Sequence, residues 1–112
     1  MSIILTTTIT RPDLNTNFNF SNENQQNLTI WENSNVVEDE ALARGVSLGQ
    51  PTINVSDDGL TSTTIETWAT IEEYLVYHRE VFHNPDWLAA YYFNQVYKRS
   101  KNITEQITFQ IT

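Results

Sequence analysis

Seven consecutive residues from Ile3 to Ile9 are β-branched or leucine, without Gly, Pro or charge, and such a run predicts a strand over Ser2 to Thr10. Alternation puts Ile3, Leu5, Thr7 and Ile9 on one face and Ile4, Thr6, Thr8 and Thr10 on the other. Arg11-Pro12-Asp13 ends the strand, because proline has no donor for a ladder. The Asn-rich stretch from Leu14 to Asn27 carries Phe18 and Phe20, which need burial, so it reads as an ordered loop leading into a short helix. Ser21 is the expected cap of that helix, over about Glu23 to Glu32 with Leu28 and Trp31 on one face. Asn35 would cap a second, Val36 to Arg44, which Gly45 stops.

Further on, Pro51 to Val55 reads as a short strand, Asp57-Asp58-Gly59 as a hairpin turn and Leu60 to Trp68 as the return strand. Thr70-Ile71-Glu72-Glu73 has the form of a capping box. It opens a helix whose expected buried stripe is Ile71, Leu75, His78 and Phe82. Asn84-Pro85-Asp86 restarts a helix, with Leu88, Tyr92, Gln95 and Val96 at helical spacing. Ile103 to Thr112 is the final strand, with Ile103, Ile107, Phe109 and Ile111 on one face and Thr104, Gln106, Thr108, Gln110 and Thr112 on the other. The order β, α, β, β, α, β is the split βαβ pattern. The expected fold is therefore α+β and ferredoxin-like: one domain over residues 1–112, a four-stranded antiparallel sheet with helices on one face.

Composition narrows the chemistry. The 112 residues include 14 acidic and 6 basic side chains, for a net charge of -8, which opposes phosphate backbones and anionic lipid surfaces. Neither nucleic acid nor membrane is an expected partner. With no cysteine, thiol catalysis and zinc-thiolate sites are excluded. The start of the chain carries no basic region, and its apolar run stops at Thr6, so the protein is expected in the host cytoplasm or a virion and not on the secretory route. Glu38, Asp39 and Glu40 are read as first-turn carboxylates serving a helix dipole. His78 and His83, five apart, fall on different helix faces and share no metal. No metal and no cofactor are expected. Arg79, Lys98, Arg99 and Lys101 read mainly as a helix-end cluster. Nine of the 13 aromatic residues lie between Trp68 and Tyr97, and Trp68, Tyr74, Tyr77, His78, Trp87 and Tyr91 are the candidate pocket or interface.

The strand-end run Thr64-Ile65-Glu66-Thr67-Trp68, followed by Thr70-Ile71-Glu72-Glu73-Tyr74, resembles the antibiotic-biosynthesis-monooxygenase type of dimeric α+β barrel. Ile9-Thr10-Arg11-Pro12-Asp13 with Asp57-Asp58-Gly59-Leu60 also resembles small proteins of marine tailed bacteriophages. The resemblance implies a dimer. Haem-degrading members of the family use an Asn on the first strand, a Trp on the second main helix and a His beyond it. Aligned on Trp68, those positions fall around Thr7, on Tyr77 and near Trp87, so none is matched.

Two functions follow as expectations. The first is a non-enzymatic phage-type structural or accessory protein that binds its own copies and other proteins, including virion components. The alternative is a cofactor-free monooxygenase or small-ligand binder, with Trp68, Tyr77 and Trp87 as the wall of the site and His78 as proton acceptor.

Overall fold

The computed structural model describes residues 2–42 and 51–112. The elements run β1 (Ile3–Thr10), α1 (Gln25–Leu42), β2 (Thr52–Val55), β3 (Thr61–Trp68), α2 (Ile71–Phe82), α3 (Pro85–Ser100) and β4 (Thr104–Ile111), with a short 3-10 turn at Phe20–Asn22 before α1. The sheet order is β2-β3-β1-β4, every pairing antiparallel. This is the expected ferredoxin-like arrangement.

Register decides what each face holds. Ile3 pairs with Trp68 and Ile111, Leu5 with Glu66 and Phe109, and Thr7 with Thr64 and Ile107. Ile3, Leu5 and Trp68 are buried, so this side is the one the helices cover. The opposite, open face carries Thr6, Thr8 and Thr10 of β1, Thr52 of β2, Thr61, Thr63 and Thr67 of β3, and Thr104 and Thr108 of β4. The hairpin between β2 and β3 closes as expected: Gly59 takes a φ of 74°, a backbone conformation that costs a side-chain-bearing residue dearly. Asp58 accepts from the Leu60 amide and Ser56 donates to it.

Beneath the helices lie two buried clusters. Ile3, Leu5, Trp68 and Tyr74 form the first, with Ile71 and Tyr77 against it; Phe20, Ala90, Tyr97 and Ile103 form the second, with Ile9 and Ile30 against it. Lys98 is buried as well, and its ammonium meets Glu105 at 2.7 Å, tying α3 to β4.

Several local expectations are corrected. Residues 25–42 are one helix and not two, since neither Gly nor Pro interrupts them. Asn35 lies inside that helix, where Ser34 turns its hydroxyl back onto the Trp31 carbonyl, and the cap is Asn24, which accepts from the Asn27 amide. Ser21 sits buried in the 3-10 turn. The expected stop at Arg44 and Gly45 lies outside the described residues. Glu38, Asp39 and Glu40 therefore occupy no first turn. On α2 the buried residues are Tyr74 and Val81, with Leu75 exposed; on α3 they are Ala90, Tyr97 and Lys98, with Tyr92 and Val96 exposed. The stripes are rotated because Tyr74 and Tyr77 turn inward to cover Trp68, at 5.4 and 4.8 Å between ring centroids. Of the capping box, the Thr70 half forms, accepting from the Glu73 amide at 3.1 Å, while Oε2 of Glu73 is buried without a partner.

Trp68 is wholly inaccessible and joins β3 to α2. Trp68→Ala is expected to destabilise the fold by roughly 3–5 kcal/mol, measured as a shift in the urea unfolding midpoint with an unchanged slope.

Candidate functional site

A cavity of about 370 Å³ opens between the covered face of the sheet and the helices α1 and α3. Each element contributes by its own period. From α1 come Trp31, Ser34 and Glu38, three and four residues apart; from α3 come Trp87, Ala90, Tyr91 and Asn94; the strands supply Thr7, Ile9, Thr64 and Glu66 at alternate positions; and the loop before α1 supplies Asn19 and Phe20. The cavity separates the two core clusters. Phe20 and Ala90 belong to one, while Glu66 leans on Trp68 of the other.

Two carboxylates line this space, and each is held by an indole. The Trp87 Nε1–H donates to Glu38 at 2.9 Å, and the Trp68 Nε1–H donates to Glu66 at 3.3 Å. Burial lifts both carboxyls above their ordinary range, only partly offset by the indole hydrogen bonds; the neighbouring charge of Asp39 adds to the rise at Glu38, and that of Glu38 itself to the rise at Glu66. The ion pair of Lys98 with Glu105 lies elsewhere, and no Lys or Arg lines the cavity. The negative charge there has neutral donors for company and no described cation.

All six residues singled out from the sequence fall in one chain of touching rings. Trp68 contacts Tyr74 and Tyr77; Tyr74 contacts His78 at 4.5 Å; His78 stacks on Phe82; Phe82 meets Trp87 at 4.7 Å and Tyr91 at 5.4 Å. Of the six, Trp87 and Tyr91 line the cavity. Trp68 is core, and Tyr74, Tyr77 and His78 stand behind it. His78 Nε2 lies 2.5 Å from the Tyr74 hydroxyl. Burial lowers the His78 pKa and raises that of Tyr74 to about 12, so burial favours the neutral form of both partners. Burial, with the charges of Glu38 and Glu66, pushes Tyr77 up as well. Among the described residues no group of three or more His, Asp or Glu side chains is placed to hold a metal ion, and no helix is long and apolar enough to cross a membrane.

Glu38 and Glu66 were not among the residues singled out. Glu66 had a visible signal: Thr64, Glu66 and Trp68 share a strand face, so the burial assigned to Trp68 carries the carboxylate inward with it. Glu38 had none, because its inward direction depends on α1 being one helix.

No family model matches this sequence, and no curated protein does. Solved structures do match. A dimeric ferredoxin-like protein from an uncultured marine organism superposes with a TM-score of 0.58 at 10% identity, over 99% of this chain and 94% of that one. SnoaB, a cofactor-independent oxygenase from Streptomyces nogalater, gives 0.53 at 11% identity over 99% and 92%. A Deinococcus radiodurans protein classed provisionally as an antibiotic biosynthesis monooxygenase gives 0.51 at 11% over 98% and 91%. What these share with this chain is the ferredoxin-like α+β fold; at such identities the likeness is one of fold.

The raised carboxyls give the fold a pH dependence of known sign. The native state holds the Glu38 and Glu66 protons more tightly than the unfolded chain. The stability they contribute is thus present at low pH and lost as pH rises through the raised native range. Glu38→Gln cannot ionise, so it should be more stable than the parent at about pH 7 and lose that advantage by about pH 4. Paired urea titrations at the two pH values check this.

Proposed function

We propose that this protein binds a small molecule in the cavity between α1, α3 and the sheet, with Glu38 placed to exchange a proton with it. The cavity carries this reading. A space of about 150 Å³ lined by apolar groups admits benzene, so one of about 370 Å³ takes a molecule of one or two rings. A carboxyl raised by burial exchanges protons closer to neutrality than a solvated one. The likeness to SnoaB favours this reading, the alternative drawn from the sequence, over a phage structural role, since the structures described above include an oxygenase and no virion component. Turnover without a cofactor is the further step, and what favours it is that same likeness.

The test is occupancy. Thr64→Phe places a ring in the cavity from the floor of the sheet. A panel of one- and two-ring compounds should perturb the indole resonances of Trp31 and Trp87 in the parent and leave them unmoved in Thr64→Phe. A panel that moves neither protein's resonances overturns the reading.

We further infer a homodimer joined across the open threonine face. A hydroxyl both donates and accepts, so a face of threonines is complementary to itself under a two-fold axis, and one structural neighbour is described as dimeric. Light scattering should give twice the chain mass of 13.0 kDa. Thr6→Arg, which places a cation on the open face of each protomer, should return the monomer mass while keeping the helical circular-dichroism signal.

A further inference from the structure

The cavity combines three features that together choose among ligand charges. Its polar charge is of one sign, from Glu38 and Glu66. Each carboxylate is tethered by an indole N–H, Trp87 on Glu38 and Trp68 on Glu66, a neutral donor that orients the group and leaves its charge in place. The remaining walls include the rings of Trp31, Trp87, Tyr91 and Phe20, and aromatic faces attract cations and repel anions. Two like charges in a shared cleft also repel each other, and a positively charged ligand relieves that repulsion while a neutral or anionic one does not. The whole chain, at net charge -8, steers the same sign of ligand toward it.

Resting on the reading that this cavity is a ligand site, we propose that its ligand is an organic cation, a protonated amine attached to an apolar ring. The ring occupies the space beside Trp87 and Tyr91, which are stacked at 5.3 Å with 15° between their planes, and the cationic head lies toward Glu38 and Glu66. A phenolate would have to bring an anionic oxygen in beside two carboxylates, which the charge of the site opposes.

Charge is isolated from shape with three probes of near-equal form: benzyltrimethylammonium, its neutral isostere neopentylbenzene, and the anion benzylsulfonate. Each is titrated into the full chain and followed by the Trp31 and Trp87 indole resonances. The ammonium should bind about tenfold or more tightly than neopentylbenzene, weaken with added salt, and lose about five- to tenfold in Glu38→Gln and in Glu66→Gln, a larger loss than neopentylbenzene shows in either variant. Benzylsulfonate should leave the spectrum unmoved. Equal binding of ammonium and isostere, or preference for the sulfonate, overturns the cation inference and leaves the cavity as a ligand site. If no probe moves the resonances, and the ring panel of the previous section also fails, both readings fall together. Because the probe comparison is made within the parent protein, it stands even where a substituted chain folds poorly.

Discussion

The pairing of Ile3 with Trp68 sets the register on which the rest of the molecule depends. Side chains on a strand alternate strictly, so a slip of one residue between β1 and β3 would exchange the two faces of one strand relative to the other. In the register observed, Trp68 goes under α2, Glu66 and Thr64 go into the cavity, and Thr61, Thr63 and Thr67 go to the open side. Trp68 is the side chain that holds this choice in place: no other position on β3 fills the space beneath Tyr74 and Tyr77, and a wholly buried indole is a large share of a small domain's stability. The cavity is a by-product of the same pairing. Thr64 and Glu66 are too small or too polar to fill what Trp68 fills, and the sheet is left with a gap between two packed clusters.

Much of the fold could be read from short-range signals. The β1 run, the turn at Gly59, the Asn84-Pro85 restart and the alternating β4 each express a constraint local to a few residues, and each appears where expected. The helical faces were harder. Period alone favoured Leu75 and Val96, but the tyrosines at 74 and 97 are the residues buried, because each large ring also finds a partner, Tyr74 on Trp68 and the Tyr97 hydroxyl on the Asn17 carbonyl. Those partners lie 6 and 80 residues away in sequence, and only the second distance is beyond the reach of helical periodicity. The continuity of α1 was missed for the opposite reason: Asn and Ser are poor helix formers, yet nothing in residues 25–42 forbids a helix, and packing against α3 and the 3-10 turn supplies what propensity does not. With α1 broken in two, Glu38 had no reason to point inward, and the site could be seen only as its aromatic half.

The two indole-to-carboxylate bonds give the site a feature that neither residue type has alone. An ion pair would have fixed Glu38 and Glu66 just as firmly, at the expense of their charge. A neutral N–H donor fixes the orientation and keeps the field. Trp87 does this while serving as a wall, so the residue that bounds the ligand space also aims the group that would meet a ligand. Trp68 does it from within the core, which couples the position of Glu66 to a wholly buried side chain.

The arrangement of the sheet also has a kinetic side. β1 is central, and both of its neighbours arrive late: Ile3 pairs with Trp68 and with Ile111, so of the four strands the first to be synthesised must wait for the last before its second ladder can form. Only local units, the β2–β3 hairpin and the α2–α3 pair, are free of that delay. A high mean separation between contacting residues slows folding, and during the wait a strand as apolar as Ile3-Ile4-Leu5 stands with an edge open to other chains. For a growing chain the vulnerable interval therefore ends when β4 docks. Until Lys98 and Glu105 meet, α3 is not fastened to the strand that completes the sheet.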